Sequence, residues 1–133
     1  MRVFKISVKT ESRLTKNGMK RTPSRTLQGL TKKHRAMALK LAIHRKKEIG
    51  LKKPIEDPHL IIRSYWSNIP MDYDGLACAI APTIDGIVDA GVMVDDSPRI
   101  VRGYHMEFEK VAKRNEVRVE VSVISEQQYN TIG

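Results

Sequence analysis

Residues 60–96 read LIIRSYWSNIPMDYDGLACAIAPTIDGIVDAGVMVDD, and this stretch decides the fold. Its first seven residues favour a β-strand, and Ile61 and Ile62 are both apolar, which predicts a strand covered on both faces. Apolar residues then recur at helical spacing and form one side of a predicted helix: Leu76, Ile80, Ile84 and Ile87. The opposite side of that helix is mostly acidic and consists of Asp74, Ala81, Asp85 and Asp89. Pro82 predicts a kink or a fresh start within this helix. The stretch therefore predicts a strand, a helix and an acidic turn.

The sequence before this stretch adds a strand, a loop and a helix. Residues 3–9 alternate between apolar and polar side chains, which predicts a strand. Residues 10–28 are polar and basic and contain several turn formers, which predicts a long flexible loop. Residues 31–49 have helical spacing, and Gly50 is well placed to end that helix.

The sequence after the acidic turn predicts two more strands. They cover residues 99–110 and 116–124 and are joined by a turn at residues 113–115, and a loose tail follows at residues 126–133. We therefore predict a single α/β (α+β) domain over residues 1–133. It has a mixed β-sheet and two main helices, in the order strand, loop, helix, strand, helix, strand, strand.

Charge is distributed unevenly along the chain. The 133 residues carry a net charge of +9, but residues 1–53 hold 17 Lys and Arg against 2 Asp and Glu, whereas residues 54–133 hold 7 against 13. A basic first part is typical of a protein that binds a polyanion, and we favour nucleic acid over a merely solvated surface or a membrane surface. The single cysteine, Cys78, predicts a buried structural thiol. No long apolar run is present, so we expect a soluble, intracellular protein.

Four aspartates form two tight pairs within this basic protein: Asp72 with Asp74, and Asp95 with Asp96. In an extended segment, residues i and i+2 point the same way, so Asp72 and Asp74 could present two carboxylates to one divalent cation. If the fold packs the second pair beside the first, a third carboxylate joins them. The alternative is local: Asp74 could cap the helix near Gly75, and residues 95–98 could form a turn without any metal.

The acidic pairs and the helix between them resemble the RusA family of Holliday junction resolvases from bacteria and their phages. The resemblance lies in residues 72–76 (DYDGL), residues 82–87 (PTIDGI) and residues 89–97 (DAGVMVDDS), and more loosely in the order of elements along nearly the whole chain. It implies a homodimeric endonuclease, dependent on Mg²⁺ or Mn²⁺, that resolves four-way DNA junctions by paired nicks during recombination and repair. By motif position, the catalytic and metal-binding aspartates are Asp72, Asp74 and Asp96, with Asp95 beside them and Asp85 in support.

The sequence departs from the family pattern at two positions near the chemistry. Gly75 stands where the family has asparagine, and Ala81 stands where it has a catalytic lysine, so Arg99, Arg102 or a loop lysine could supply the missing charge. The expected contacts to the DNA backbone come from Lys16, Lys20, Arg21, Arg25, Lys33, Lys40 and Lys47. Two alternatives stay open, namely a junction-binding protein of the same fold that does not cut, and a small RNA-binding or ribosomal protein. A cytoplasmic location, in a bacterial host or from a prophage, is expected in either case.

No histidine is expected to be catalytic. His34 and His44 lie in the basic helix and are expected to contact phosphate or solvent. Tyr65 and Trp66 could stack on a base, but Trp66, at the end of an apolar strand, is expected to pack in the core.

Overall fold

The computed structural model describes residues 3–10, 14, 16–67 and 73–132, and for residues 16, 17, 74 and 132 it describes the backbone only. The described chain forms four strands and four helices. In chain order these are β1 (Phe4–Lys9), α1 (Lys16–Arg21), α2 (Ser24–Ile49), β2 (Pro58–Trp66), α3 (Tyr73–Asp89), β3 (Gly103–Lys110), β4 (Arg118–Ser125) and α4 (Glu126–Ile132). A short 3₁₀ helix, Arg114–Glu116, precedes β4. The predicted α/β (α+β) class with a mixed sheet is confirmed.

The sheet has the strand order β1-β4-β2-β3. Strands β1 and β2 both pair antiparallel with β4, whereas β2 and β3 are parallel and are connected through α3. The last two strands, β3 and β4, follow each other in the chain but do not pair, because β2 lies between them in the sheet. A parallel partner for β2 needs a crossover helix, which α3 supplies.

One face of the sheet carries the core. Alternate residues of β1, β2 and β4 meet there in register, so that Phe4 and Leu60 both lie opposite Val123, and Ile6 and Ile62 both lie opposite Val121. Helices α2 and α3 cover this face with Ala38, Ala42, Ile80, Ile84 and Ile87, all buried. Trp66 is also buried, at 5% exposure, so the expectation that it packs in the core is confirmed, and Tyr65 is buried on the other face.

Helix α2 begins seven residues earlier than predicted, at Ser24, and a separate short helix, α1, precedes it. Much of the segment predicted as a flexible loop, residues 10–28, is therefore helical; residues 11–13 and 15 lie outside the described residues. The proline that suggested a turn, Pro23, stands at the start of α2, where its missing N–H costs no hydrogen bond, and its carbonyl accepts from the N–H of Leu27 at 2.9 Å. The predicted end is confirmed, because Gly50 adopts a left-handed conformation with φ of 69°.

Helices α2 and α3 approach closely at Gly86. A Cβ atom built on Gly86 would lie 2.6 Å from the carbonyl oxygen of Arg35 and 2.7 Å from the Cβ of Ala38. Only glycine allows this approach of two backbones. Helix α3 itself runs without a break through Pro82, which is buried within it, so a fresh helical start at that residue is not observed.

The C-terminal segment is a docked helix rather than the expected loose tail. Ser125 and Gln128 cap α4 reciprocally: the N–H of Ser125 donates to Oε1 of Gln128 at 2.9 Å, and the N–H of Gln128 donates to Oγ of Ser125 at 3.1 Å. This arrangement is a capping box, and its sequence pattern of serine followed three residues later by glutamine was overlooked. The ring of Tyr129 then stacks on His59, which holds α4 against the sheet.

Cys78 is only half-buried on α3, so the expectation of a buried thiol is wrong.

Among the described helices, none combines the length and the apolar composition that crossing a membrane requires.

Candidate active site

The acidic residues of the site come from two separate segments of the chain. Asp85 lies on the third helix, and Asp95 and Asp96 lie in the turn that follows it. The charges of Asp85 and Asp95 both raise the pKa of Asp96, which shows that the three carboxyl groups lie within electrostatic range of one another. The fold therefore brings together the second aspartate pair and the residue that the family resemblance assigns a supporting role.

The two neighbouring aspartates of the turn have opposite pKa shifts. The pKa of Asp95 is lowered because its carboxylate accepts the N–H of Asp96, at 2.8 Å, and the hydroxyl of Ser97, with a smaller effect from the charge of Arg99. The pKa of Asp96 is raised, first by partial burial of its carboxyl, although the residue as a whole is exposed, and then by the charge of Asp95. Asp95 is thus held as an anion, while Asp96 is the more basic carboxylate of the pair.

Tyr104, on β3, completes this side of the cluster. Burial of its hydroxyl and the negative charges of Asp96 and Asp85 raise the pKa of Tyr104 to about 12, although 48% of the residue is exposed. A neutral phenol is both a donor and an acceptor of hydrogen bonds, so Tyr104 can donate to an anionic group at the cluster. Its exposed ring also offers an aromatic surface beside the carboxylates.

A cation from α2 reaches the acidic side of α3. The guanidinium of Arg35 donates from Nε to Oδ2 of Asp89 at 2.6 Å and from Nη2 to Oδ1 at 2.8 Å, and its Nη1 lies 3.9 Å from Oδ2 of Asp85. These hydrogen bonds hold the pKa of Asp89 below its usual value. Arg35 is therefore a positive charge adjacent to Asp85, on the acidic side of α3.

The first aspartate pair cannot be compared with this cluster. Asp72 and the side chain of Asp74 lie outside the described residues. The backbone of Asp74 is in the first turn of α3, which begins at Tyr73, so the reasoning from an extended segment does not apply to it. Asp74 is also inside the helix rather than at a cap preceding Gly75.

The donor set at the cluster consists of carboxylate oxygens and one phenol, which suits a hard cation such as Mg²⁺ or Mn²⁺. A cation there would also offset the like charges that raise the pKa of Asp96. Among the side chains that the structure describes, no three or more His, Cys, Asp or Glu residues are arranged to hold a metal ion by themselves. Asp85, Asp95 and Asp96 thus form a charged cluster, and a complete metal site would need ligands beyond them.

The predicted DNA-contacting residues are exposed wherever their side chains are described. This holds for Lys20, Arg21, Arg25, Lys33, Lys40, Lys47, Arg99 and Arg102; for Lys16 only the backbone is described. Arg102 donates to Asp57 at 2.9 Å, which draws it into a separate ion pair, whereas Arg99 lies close enough to Asp95 to lower its pKa. His34 is buried on α2, so the expectation that it contacts phosphate or solvent is wrong, whereas His44 is exposed.

Sequence reasoning missed two members of the site, Arg35 and Tyr104. Arg35 lies 54 residues before Asp89, and no local spacing links the two. One feature of the sequence could have indicated this contact, namely Gly86 beside Asp85. A glycine within an apolar helix suggests that another backbone packs closely against it. Tyr104 lies on a strand predicted from alternation, and nothing in the sequence connects that strand to the aspartates.

Neither a protein-family model nor a curated protein matches this sequence.

Proposed function

We propose that this protein is a metal-dependent endonuclease that cuts four-way DNA junctions. The observation that carries the proposal is that Asp85 on α3 and Asp95 in the turn after α3 both raise the pKa of Asp96 through their charges, within a protein of net charge +9. Carboxylates on a polyanion-binding protein repel their ligand unless a cation lies between them. The resemblance supports the same chemistry and adds Asp72 and Asp74 as further ligands of Mg²⁺ or Mn²⁺.

The substrate would be held by the basic helices. Exposed lysines and arginines on α1 and α2 can bind the phosphates on both sides of the cut, and this binding is independent of sequence. Two exposed aromatic residues near the acidic segments, Tyr73 and Tyr104, offer surfaces on which bases exposed at the branch point of a junction can stack. Branched DNA is favoured over duplex DNA by that combination.

At the scissile phosphate, Asp96, Asp95 and Arg35 would have different roles. Asp96, whose pKa is raised, is suited to accept a proton from the attacking water, and Asp95 stays ionised. The bound metal ion would polarise the phosphate and lower the pKa of the water. Arg35 steadies the acidic face of α3 through Asp89 and Asp85, and in the absence of the family lysine it is the cation placed to offset charge there. Two nicks at symmetry-related positions require two copies of the chain, so we also propose a homodimer.

The test is cleavage of a synthetic four-way junction with Mg²⁺ or Mn²⁺, comparing the natural protein with an Asp72→Asn, Asp74→Asn double variant and with Asp96→Asn. The matched control is Glu107→Gln, a carboxylate on the opposite face of the sheet that is paired with Arg63. Metal-dependent nicking that is lost in the two aspartate variants and kept in the control supports the proposal. Equal behaviour of all four proteins would overturn it.

Ala81 favours a second candidate, a junction-binding protein without nuclease activity. The side chain is exposed on α3 and carries no charge where the family has its lysine. Tight, salt-sensitive binding of junctions without cleavage by any metal would select this candidate. A preference for structured RNA over branched DNA in competition would contradict both and favour an RNA-binding protein.

A further inference from the structure

Two histidines and a tyrosine form a cluster on the side of the sheet that faces away from α2 and α3. His59 of β2 pairs in register with Gly103 of β3, and His105 is two residues further along β3, so the two imidazoles are diagonal neighbours on one face. Tyr129 of α4 covers both: its ring centroid is 4.0 Å from that of His59 and 4.9 Å from that of His105. The cluster is thus enclosed between the sheet and the last helix.

Three of the four imidazole nitrogens in this cluster are buried without a hydrogen-bond partner. Both Nδ1 and Nε2 of His59 and Nε2 of His105 are buried and unpaired, and only 7% of the His59 side chain is exposed. Buried polar atoms are paired in the great majority of cases, because burial without a partner costs free energy. Unpaired nitrogens on both imidazoles therefore indicate that something else binds between them.

Two of these nitrogens face the same glycine. A Cβ atom built on Gly103 would lie 2.7 Å from Nδ1 of His59 and 2.8 Å from Nε2 of His105, so the two nitrogens are no more than about 5.5 Å apart. Imidazole nitrogens lie about 2.0–2.1 Å from zinc in proteins, so one ion can bind both when they are within about 4.2 Å of each other. Because Gly103 has no side chain, none lies between the two imidazoles at this residue.

The other nitrogen of His59 has a carboxylate nearby. Oε1 of Glu126, in the first turn of α4, lies 3.8 Å from Nε2 of His59. A carboxylate behind a metal-bound imidazole fixes the ring's tautomer, leaving the opposite nitrogen free to bind the metal. Glu126 is placed to do this for Nδ1 of His59.

We propose that His59 and His105 bind a transition-metal ion of the zinc class, with Glu126 orienting His59 and Tyr129 covering the site. Imidazole nitrogens favour Zn²⁺, Ni²⁺ and Cu²⁺, whereas Mg²⁺ and Mn²⁺ favour oxygen ligands, so this site is chemically distinct from the carboxylate cluster. With two protein ligands, the remaining coordination positions are filled by water or by a bound ligand. The ion joins β2, β3 and, through Glu126, the helix α4.

The experiment is calorimetric titration of the untagged full-length protein with Zn²⁺, repeated after substitution within the cluster. We expect one Zn²⁺ per chain and binding weakened at least about tenfold in His59→Gln and in His105→Gln. Gly103→Ala adds a methyl group between the two nitrogens and should abolish binding while leaving both histidines in place. Glu126→Gln should weaken binding by about tenfold, because the carboxylate that orients the imidazole of His59 is lost.

The matched control is His44→Gln, which removes an imidazole that is 75% exposed on α2. It should bind Zn²⁺ as the natural protein does. Circular dichroism melts of each variant verify folding, and Zn²⁺ should raise the Tm of the natural protein and of His44→Gln but not that of Gly103→Ala. No Zn²⁺ binding by the natural protein, or equal binding by Gly103→Ala, overturns the proposal. Binding lost only in His44→Gln also overturns it, because the ion would then lie on the surface of α2.

Discussion

The guanidinium of Arg35 makes two parallel hydrogen bonds to the carboxylate of Asp89, at 2.6 and 2.8 Å. This contact joins the basic helix α2 to the acidic face of α3, and it depends on Gly86, whose lack of a side chain lets the two helices approach. A basic surface and an acidic cluster within one small protein are thus connected by one arginine. Because Asp85 is 3.9 Å from the same guanidinium, Arg35 also influences the charge of the cluster.

Substituting Arg35 is the direct test of its role. We expect Arg35→Gln to lower the rate of junction nicking by a factor on the order of 10², as removal of a single electrostatic group does. Stability should change little, since exposed ion pairs contribute little to folding. Arg35→Lys should recover only part of the rate, because lysine keeps the charge but not the two-pronged geometry. Single-turnover cleavage under saturating Mn²⁺ measures the effect.

The control for this substitution is Arg63→Gln. Arg63 also donates twice to a carboxylate, that of Glu107, but it does so on the opposite face of the sheet. If the two variants lose activity equally, Arg35 has no special position and its proposed role is wrong.

Gly86→Ala should destabilise the protein by about 1–3 kcal/mol, the usual cost of forcing extra atoms into a packed contact. The added Cβ would lie 2.8 Å from the backbone nitrogen of Leu39, 2.7 Å from the Cβ of Ala38 and 2.6 Å from the carbonyl oxygen of Arg35, so the helices must separate. Separation also moves Arg35 from Asp89. Urea denaturation measures the loss of stability, and the cleavage assay measures the second effect.

Gly29→Ala, also in the pair of helices α2 and α3, should increase stability rather than decrease it. Gly29 lies within α2 and has nothing within 4 Å of the position of a new Cβ. Alanine is the better helix former, so this variant should be more stable by about 0.5–1 kcal/mol. Equal effects of the two substitutions would show that the close approach at Gly86 has no energetic consequence.

Local pattern predicted most of the secondary structure but not its arrangement. The alternation of Phe4, Ile6 and Val8 and the helical ending at Gly50 depend on neighbours in sequence, and both predictions were confirmed. The pairing of β3 with β2 instead of β4 depends on where α3 returns the chain, which local spacing does not encode. The missed N-terminal turns of α2 arose because Pro23 was interpreted as a loop former instead of a helix start.

In the candidate site too, the sequence predicted some residues, whereas others could be identified only from the packing of distant elements. Asp95 and Asp96 were identified as an acidic pair in the sequence and Asp85 from the family resemblance, and the charges of Asp85 and Asp95 both raise the pKa of Asp96. Arg35 and the His59–His105 cluster require contacts between elements far apart in sequence, and neither residue type was distinctive where it stood. Their detection needed the packing of α2 on α3 and of α4 on the sheet.

Tyr104 reports on the charge of the cluster. Its pKa is raised to about 12, first by burial of its hydroxyl and then by the charges of Asp96 and Asp85. An absorbance titration of the phenolate should therefore show one tyrosine ionising near pH 12, and Tyr104→Phe should remove it. Asp96→Asn should lower that pKa only in part, because burial remains. An unchanged titration in Asp96→Asn would place the carboxylate away from the phenol.

The same shift makes stability depend on alkaline pH. The pKa of Tyr104 is about 12 in the folded protein and about 10 in an unfolded chain, so the unfolded state loses its proton first as the pH rises. The stabilising contribution is complete below about pH 10 and is lost progressively between about pH 10 and pH 12. Tyr104→Phe should show a smaller fall in Tm over this range than the natural protein. An identical fall in both proteins would contradict the assignment.

The exposed lysines of α2 should contribute to DNA affinity through counterion release. Lys33 and Lys40 are both exposed and seven residues apart, hence on one side of the helix. If each neutralises one phosphate, replacing both with glutamine should reduce the slope of log affinity against log salt by about 1.8, or about 0.9 for each contact. Fluorescence anisotropy with a labelled junction at several salt concentrations measures the slope.

The control is Lys5→Gln. Lys5 is paired with Glu120 on the opposite face of the sheet, so this substitution should leave the slope unchanged. A slope that falls equally in Lys5→Gln would mean that DNA does not distinguish the helical side of the protein from its sheet side, and the basic helix would lose its assigned role.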